Sequence, residues 1–170
     1  MKILSGLKKH KSKIALILGE KKITYLKLDK LSESLSQSLK KNILTFLICE
    51  NDIESIIFYL SNLKHQSTIL LLEKNITKVN LKGLVNKYQP QYIFHKKNKD
   101  YELDNFYLKR KFMNYNLFIN KENTKRNIDK NLRILISTSG TTGSPKYVKI
   151  TKQNLESNII SIQDYLKLKN

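Results

Sequence analysis

Cysteine occurs once, at Cys49, so the chain can form no internal disulfide and no cysteine-based metal cluster. At the end of an apolar run, that thiol reads as a small buried residue rather than a nucleophile. Tryptophan is absent, and only two prolines and five glycines interrupt 170 residues. Such scarcity excludes a linker-like or low-complexity chain. No repeat recurs at solenoid periods. His10, His65 and His95 share no metal-ligand spacing. Acidic residues are few, 14 against 32 lysines and arginines, and the net charge is +18. Arginine is scarce too, at Arg110, Arg126 and Arg133 alone. Nucleic-acid binders usually join a positive field to arginine forks, aromatic platforms or a recognised module. None is visible, so the charge reads as a solvated lysine surface with weak attraction for polyanions and no specific nucleic-acid partner. Long apolar runs are missing as well. "IALILG" is too short for a signal-peptide core or a membrane span, so a cytoplasmic location is expected.

What remains is a chain with 40% hydrophobic residues and a mean hydropathy of −0.43, enough for one domain with a real core. A folded chain of this size buries roughly 70% of its unfolded surface. "KIALILGEKKITYLKL" predicts two short strands around a Gly19-Glu20 turn. Thr24 then caps a helix from Tyr25 to about Leu39, with Leu28, Leu31, Leu35 and Leu39 on one face. "ILTFLICE" is apolar without alternation, as in a strand buried on both faces of a parallel sheet. A helix in "NDIESIIFYLSNL" follows, with Asn51 as the expected cap. "STILLL", "VNLKGLVNKY" and "QYIF" predict strand, helix and strand. The fold class is therefore α/β, a doubly wound, mostly parallel sheet with flanking helices.

Four stretches organise the chain: a hairpin and helix over 1–44, a βαβαβ core over 45–94, a charged connection over 95–131, and a strand, loop, strand and helix over 132–170. The connection holds strand candidates at Phe106–Phe112 and Asn116–Ile119. "RILIST" leads into the loop and "KYVKIT" out of it. Thr151 caps a last helix to about Leu166, whose Leu155, Ile159, Ile162 and Leu166 form one apolar face.

The loop, "STSGTTGSPKYVKIT" from Ser137 to Thr151, gathers the hydroxyls and glycines that the rest of the chain lacks. Gly140 and Gly143 can take positive φ and admit a ligand closely. Successive backbone N–H groups there can converge on an anion. Ser139, Thr141, Thr142 and Ser144 add hydroxyl donors, Lys146 a compact positive charge, and Pro145 stiffens the approach to it. The chemistry is polyphosphate holding, with ATP as the natural ligand. A Walker A loop is excluded, because Pro145 falls where that motif needs Gly-Lys and the loop joins two strands. An ordinary flexible hairpin would share the composition but not the ordered string.

"TSGTTGSPKYV", Thr138 to Val148, resembles the signature phosphate loop of the adenylate-forming enzymes, which include acyl- and aryl-CoA synthetases, luciferases and peptide-synthetase adenylation domains. "ITYLKLDKLSESLSQSL" and "FLICENDIESIIFYLSNLKHQSTILLL" are similar to earlier segments of that family in the same order. The resemblance implies that residues 1–170 are a single partial AMP-binding domain, an incomplete N-terminal portion of that fold. It implies ATP with Mg2+, attack of a carboxylic acid on the α-phosphate, and transfer of the acyl group to coenzyme A or a carrier thiol. It gives Thr138, Ser139, Gly140, Thr141, Thr142, Gly143, Ser144 and Lys146 the role of gripping the ATP phosphates. Tyr147 and Lys152 depart from the family's usual glycine and histidine. The family's later aromatic-Gly-x-Thr-Glu segment, its ribose-binding aspartate and its late catalytic lysine have no counterpart here, so no catalytic residue or metal ligand is assigned. The expectation is a ligase fragment inactive alone, completed by a second polypeptide carrying the rest. A stand-alone nucleotide- or phosphate-binding module is the alternative reading.

Overall fold

A computed structural model describes residues 4–122, 128–137 and 146–167. After a short helix α1 (Ser5–Lys9), β1 (Ile14–Leu18) and β2 (Lys21–Thr24) form an antiparallel hairpin. Its turn places Gly19 at φ +57°, a conformation glycine adopts without strain. Thr24 then caps α2 (Tyr25–Ser36), its hydroxyl accepting from the Lys27 amide at 3.2 Å. The helix stops short of Leu39. Amides of Ser38 and Leu39 bond three residues back, to Leu35 and Ser36 carbonyls, so the last turn tightens into 3₁₀ geometry.

The main sheet has seven strands in the order β6-β7-β5-β3-β4-β8-β9. These are β3 (Leu44–Ile48), β4 (Thr68–Leu72), β5 (Tyr92–Lys96), β6 (Phe106–Phe112), β7 (Tyr115–Asn120), β8 (Leu132–Ser137) and β9 (Tyr147–Thr151). β3 pairs in parallel with β4 and β5, and β4 with β8; β7 and β9 alone oppose the common direction. The doubly wound, mostly parallel sheet expected from the unbroken apolar runs is thus observed. Every residue of β3 is buried, as a strand covered on both faces must be.

Alternate residues of these strands feed two cores. Leu47, Ile69, Tyr92 and Phe94 meet Leu28 and Leu35 of α2 and Ile57 and Phe58 of α3 (Ile53–His65) on one face. Phe46, Ile48, Leu70 and Ile93 meet Leu81 of α4 (Lys78–Tyr88) on the other. Phe94 anchors the first core, stacked on Phe58 at 4.3 Å and on Tyr115 at 4.8 Å. The charged stretch after β5 contributes the β6–β7 hairpin, which adds two strands to one sheet edge.

Glycine scarcity leaves a mark at the helix ends. α3 and α4 finish on Gln66 (φ 60°) and Gln89 (φ 45°), left-handed positions that glycine usually fills. α5 (Lys152–Tyr165) carries the expected Thr151 cap, with reciprocal bonds between Thr151 and Asn154. The apolar face assigned to it is only half used. Leu155 packs against the core, whereas Ile162 and Leu166 are exposed. Among the described residues, no helix is long and apolar enough to cross a membrane.

Candidate functional site

β8 runs parallel to β4, in register Ile69↔Ile134 through Leu71↔Ile136, so its last residues reach the carboxyl edge of the parallel block. In doubly wound sheets this is the edge where ligands bind. β9 returns antiparallel, and Ser137 sits opposite Tyr147 as the final pair of the ladder. The segment between them is therefore a nine-residue connection, 138–146, closed at its base by sheet pairing. Thr138, Ser139, Gly140, Thr141, Thr142, Gly143 and Ser144 lie outside the described residues. Lys146, the last site residue expected from the sequence, is exposed where the chain enters β9.

The exit from the loop is anchored by packing. Tyr147 is half-buried and meets Tyr88 of α4 edge-to-face at 5.6 Å. Burial, then the neighbouring Tyr88, raises its phenol pKa. Where the sequence reading registered only a departure from glycine, the ring fastens the strand to α4. Lys152 lies at the far end of β9, one residue past the Leu132↔Thr151 pair. It lies five residue steps along the chain from Tyr147, about 17 Å at strand spacing, so it belongs to the opposite end of the strands.

The same carboxyl edge holds a polar cluster that sequence reading did not find. Asp52, not Asn51, caps α3; its Oδ1 accepts from the Ser55 amide at 2.9 Å. Its Oδ2 accepts from the Tyr115 hydroxyl at 2.8 Å, and Lys96 Nζ stands 3.6 Å away. Lys96 also donates to Glu50. Ser55 Oγ accepts from the Glu50 amide at 3.1 Å and lies 3.2 Å from Tyr115 Oη. The Tyr115 phenol is pushed strongly upward, first by burial, so it remains a donor. Asp52 takes the cap in place of Asn51 because its carboxylate also meets this donor and this ammonium.

Two carboxylates against one ammonium, with both Asp52 oxygens held by hydrogen-bond donors, make a turn clamp between β3 and α3. Neighbouring Cys49 has its thiol raised to about 11, chiefly by burial, which keeps it protonated and unreactive. Among the described residues no three His, Cys, Asp or Glu side chains gather to hold a metal. β8 ends and β9 begins at the carboxyl edge of the parallel block, the sequence between them is rich in Gly, Ser and Thr, and Lys146 is exposed where β9 is entered.

The fold and this edge define an α/β protein carrying a loop of phosphate-binding composition at the carboxyl ends of its strands. The chain belongs to the AMP-binding enzyme family, which it matches over residues 5–170. No curated protein matches it in sequence. Among solved structures it is similar to the O-succinylbenzoate coenzyme A synthetase MenE of Bacillus subtilis in complex with AMP, with 17% identity and a TM-score of 0.71. That match covers 98% of this chain and 46% of MenE. MatB of Rhodopseudomonas palustris gives 17% identity and 0.71 over 98% of this chain and 38% of its own. The N-terminal subdomain of Klebsiella oxytoca NpsA, bound to anthranilyl-AMSN, gives 18% identity and 0.61 over 88% and 40%. At these identities the likeness shows the fold, that of the N-terminal portion of adenylate-forming enzymes. The chain spans less than half the length of these three solved chains.

Proposed function

We propose that this chain supplies the ATP phosphate-binding loop of an AMP-forming carboxylate ligase. In that reaction a carboxylate oxygen attacks the α-phosphorus of ATP, the bond to the β-phosphate oxygen breaks, and pyrophosphate leaves. The acyl-adenylate then passes its acyl group to a thiol, on coenzyme A or a carrier protein, releasing AMP. Thr138, Ser139, Gly140, Thr141, Thr142, Gly143, Ser144 and Lys146 hold the departing phosphates, and their donors offset the charge that grows there. One observation supports this above the others: the ordered string from Thr138 to Lys146 connects β8, which ends at the carboxyl edge of the parallel block, to β9, in a chain matching the AMP-binding family over nearly its full length.

Completion by a second polypeptide in the cytoplasm is part of the reading. Each missing charge-assisted contact weakens ATP binding by about 1.5–3 kcal/mol. Calorimetric titration of ATP into the purified chain tests the loop. Weak binding is expected, and a chain carrying Thr141→Ala and Thr142→Val should bind about tenfold or more weakly. Equal affinity in the two chains would refute the assignment. ATP–pyrophosphate exchange should be absent from the chain alone; exchange without a partner would refute its incompleteness.

A further inference from the structure

Strand order creates a second ligand position on the carboxyl edge. From β3 the chain passes through α3 to β4 on one side, then returns through α4 to β5 on the other, giving the order β5-β3-β4. α3 and α4 pack on opposite faces, so the connections leaving β3 and β5 part between them. Doubly wound sheets bind ligands in the crevice at such a reversal. β3 and β8 are two strand spacings apart, about 10 Å, which separates this crevice from the base of the 138–146 connection. A cavity of about 280 Å³ opens there, between the turn after β3 and the β1–β2 hairpin. Ile17, Leu18, Ile53 and Ile56 are among its walls, and Glu50 and Asp52 supply its charge. Among the described residues no lysine or arginine lines it, in a chain that holds 32 of them.

Lys96 pairs with both carboxylates from outside the lining, so one negative charge stays uncancelled. Glu50 Oε2 accepts from Lys96, while its Oε1 has no hydrogen-bond partner among the described residues. Each Asp52 oxygen accepts one bond and keeps a second lone pair. Tyr101 adds an independent sign of a ligand. It is only 7% exposed, its hydroxyl is enclosed without a partner among the described residues, and burial followed by the charge of Glu50 raises its phenol pKa. Its oxygen is an unused acceptor on the Glu50 side. Ile17 and Leu18 are exposed, so an apolar body seated on them leaves water. We infer that this crevice binds a small primary amine, its ammonium held by Glu50 and Asp52 and its apolar body by the hairpin. An ammonium brings three N–H donors and one positive charge, which match the open acceptors and the uncancelled carboxylate. A carboxylate or phosphate ligand would meet like charge. The site stands apart from the phosphate loop and does not depend on the ligase reading.

Isopentylamine titrated into the isotope-labelled chain at neutral pH tests it, with backbone amide shifts followed by NMR. Isopentanol, which has the same skeleton without the charge, is the comparison. The expected result is saturable shifts confined to Leu16–Leu18 and Glu50–Ile56, with affinity about tenfold or more above that for isopentanol. Glu50→Gln should lower isopentylamine affinity about tenfold or more and leave isopentanol unchanged. The Glu50 side chain is 23% exposed, and circular dichroism checks that the variant folds. Should it not fold, the comparison of amine with alcohol on the unaltered chain decides alone. Shifts that never saturate, shifts centred elsewhere, equal affinity for the alcohol, or a folded Glu50→Gln chain that binds the amine equally well would each overturn the proposal.

Discussion

Replacing Tyr115 by phenylalanine removes one oxygen from the turn clamp and leaves its packing untouched. The ring is fully buried and stays stacked on Phe94 at 4.8 Å, so no cavity opens. What is lost is the 2.8 Å bond to Asp52 Oδ2 and the contact with Ser55 Oγ. A hydrogen bond to an ionised group contributes about 1.5–3 kcal/mol. The Asp52 side chain keeps 13% exposure, its Ser55 amide bond and Lys96 at 3.6 Å, so water and the ammonium recover part of the loss. The expected cost is about 2 kcal/mol, or roughly 4–8 °C in Tm for a domain of this length. Urea unfolding followed by circular dichroism measures it, and the slope of the transition should not change. A double-mutant cycle with Asp52→Ala should return a coupling of about 1 kcal/mol or more. A loss under about 0.5 kcal/mol, within the range of ordinary surface substitutions, together with zero coupling, would show that the clamp contributes nothing to stability.

Lys146→Ala should lower ATP affinity about tenfold or more without changing thermal stability, since the side chain is exposed; titration calorimetry beside a melting curve separates the two. Tyr115 and Tyr92 have folded pKa values raised by burial above the ordinary 10.0, so the unfolded chain loses these protons first. Stability should hold below pH 10 and fall above it, and Tyr115→Phe should flatten that fall in urea titrations run at several alkaline pH values. His95 is lowered from 6.5, first by burial, against the Lys96 carbonyl and Asp100 which favour its charge. Its contribution is present above pH 6.5 and is lost as pH falls through the depressed folded value, so acid unfolding should shift to lower pH in His95→Gln if that variant folds with native circular dichroism. Gln89→Gly should stabilise by about 0.5 kcal/mol, the relief of left-handed backbone at φ 45° exceeding the entropy cost of glycine, as read from the urea midpoint.

Local chemistry was legible wherever neighbours in sequence are neighbours in space. The buried runs Leu44–Ile48 and Thr68–Leu72 declared parallel strands because their side chains alternate between two covered faces, so each run is apolar apart from one threonine, Thr45 or Thr68. Thr24 and Thr151 declared helix starts because a cap bonds three residues along. The Ser/Thr/Gly segment from Thr138 to Lys146 is likewise contiguous, so its composition could be read directly, and it lies within the match to the AMP-binding family.

Tertiary structure decided what depends on strand order. Glu50, Asp52, Lys96 and Tyr115 meet because β3, β5 and β7 lie side by side, an arrangement that no spacing along the chain encodes. That meeting moved the cap of α3 from Asn51 to Asp52. Packing also fastened Tyr147 to Tyr88 and carried Lys152 to the edge away from the loop. The apolar stripe of α5 is written in the sequence, but exposure of Ile162 and Leu166 is a property of the fold: burial needs a second surface, and the described part of this chain brings one to Leu155 but not to those two side chains.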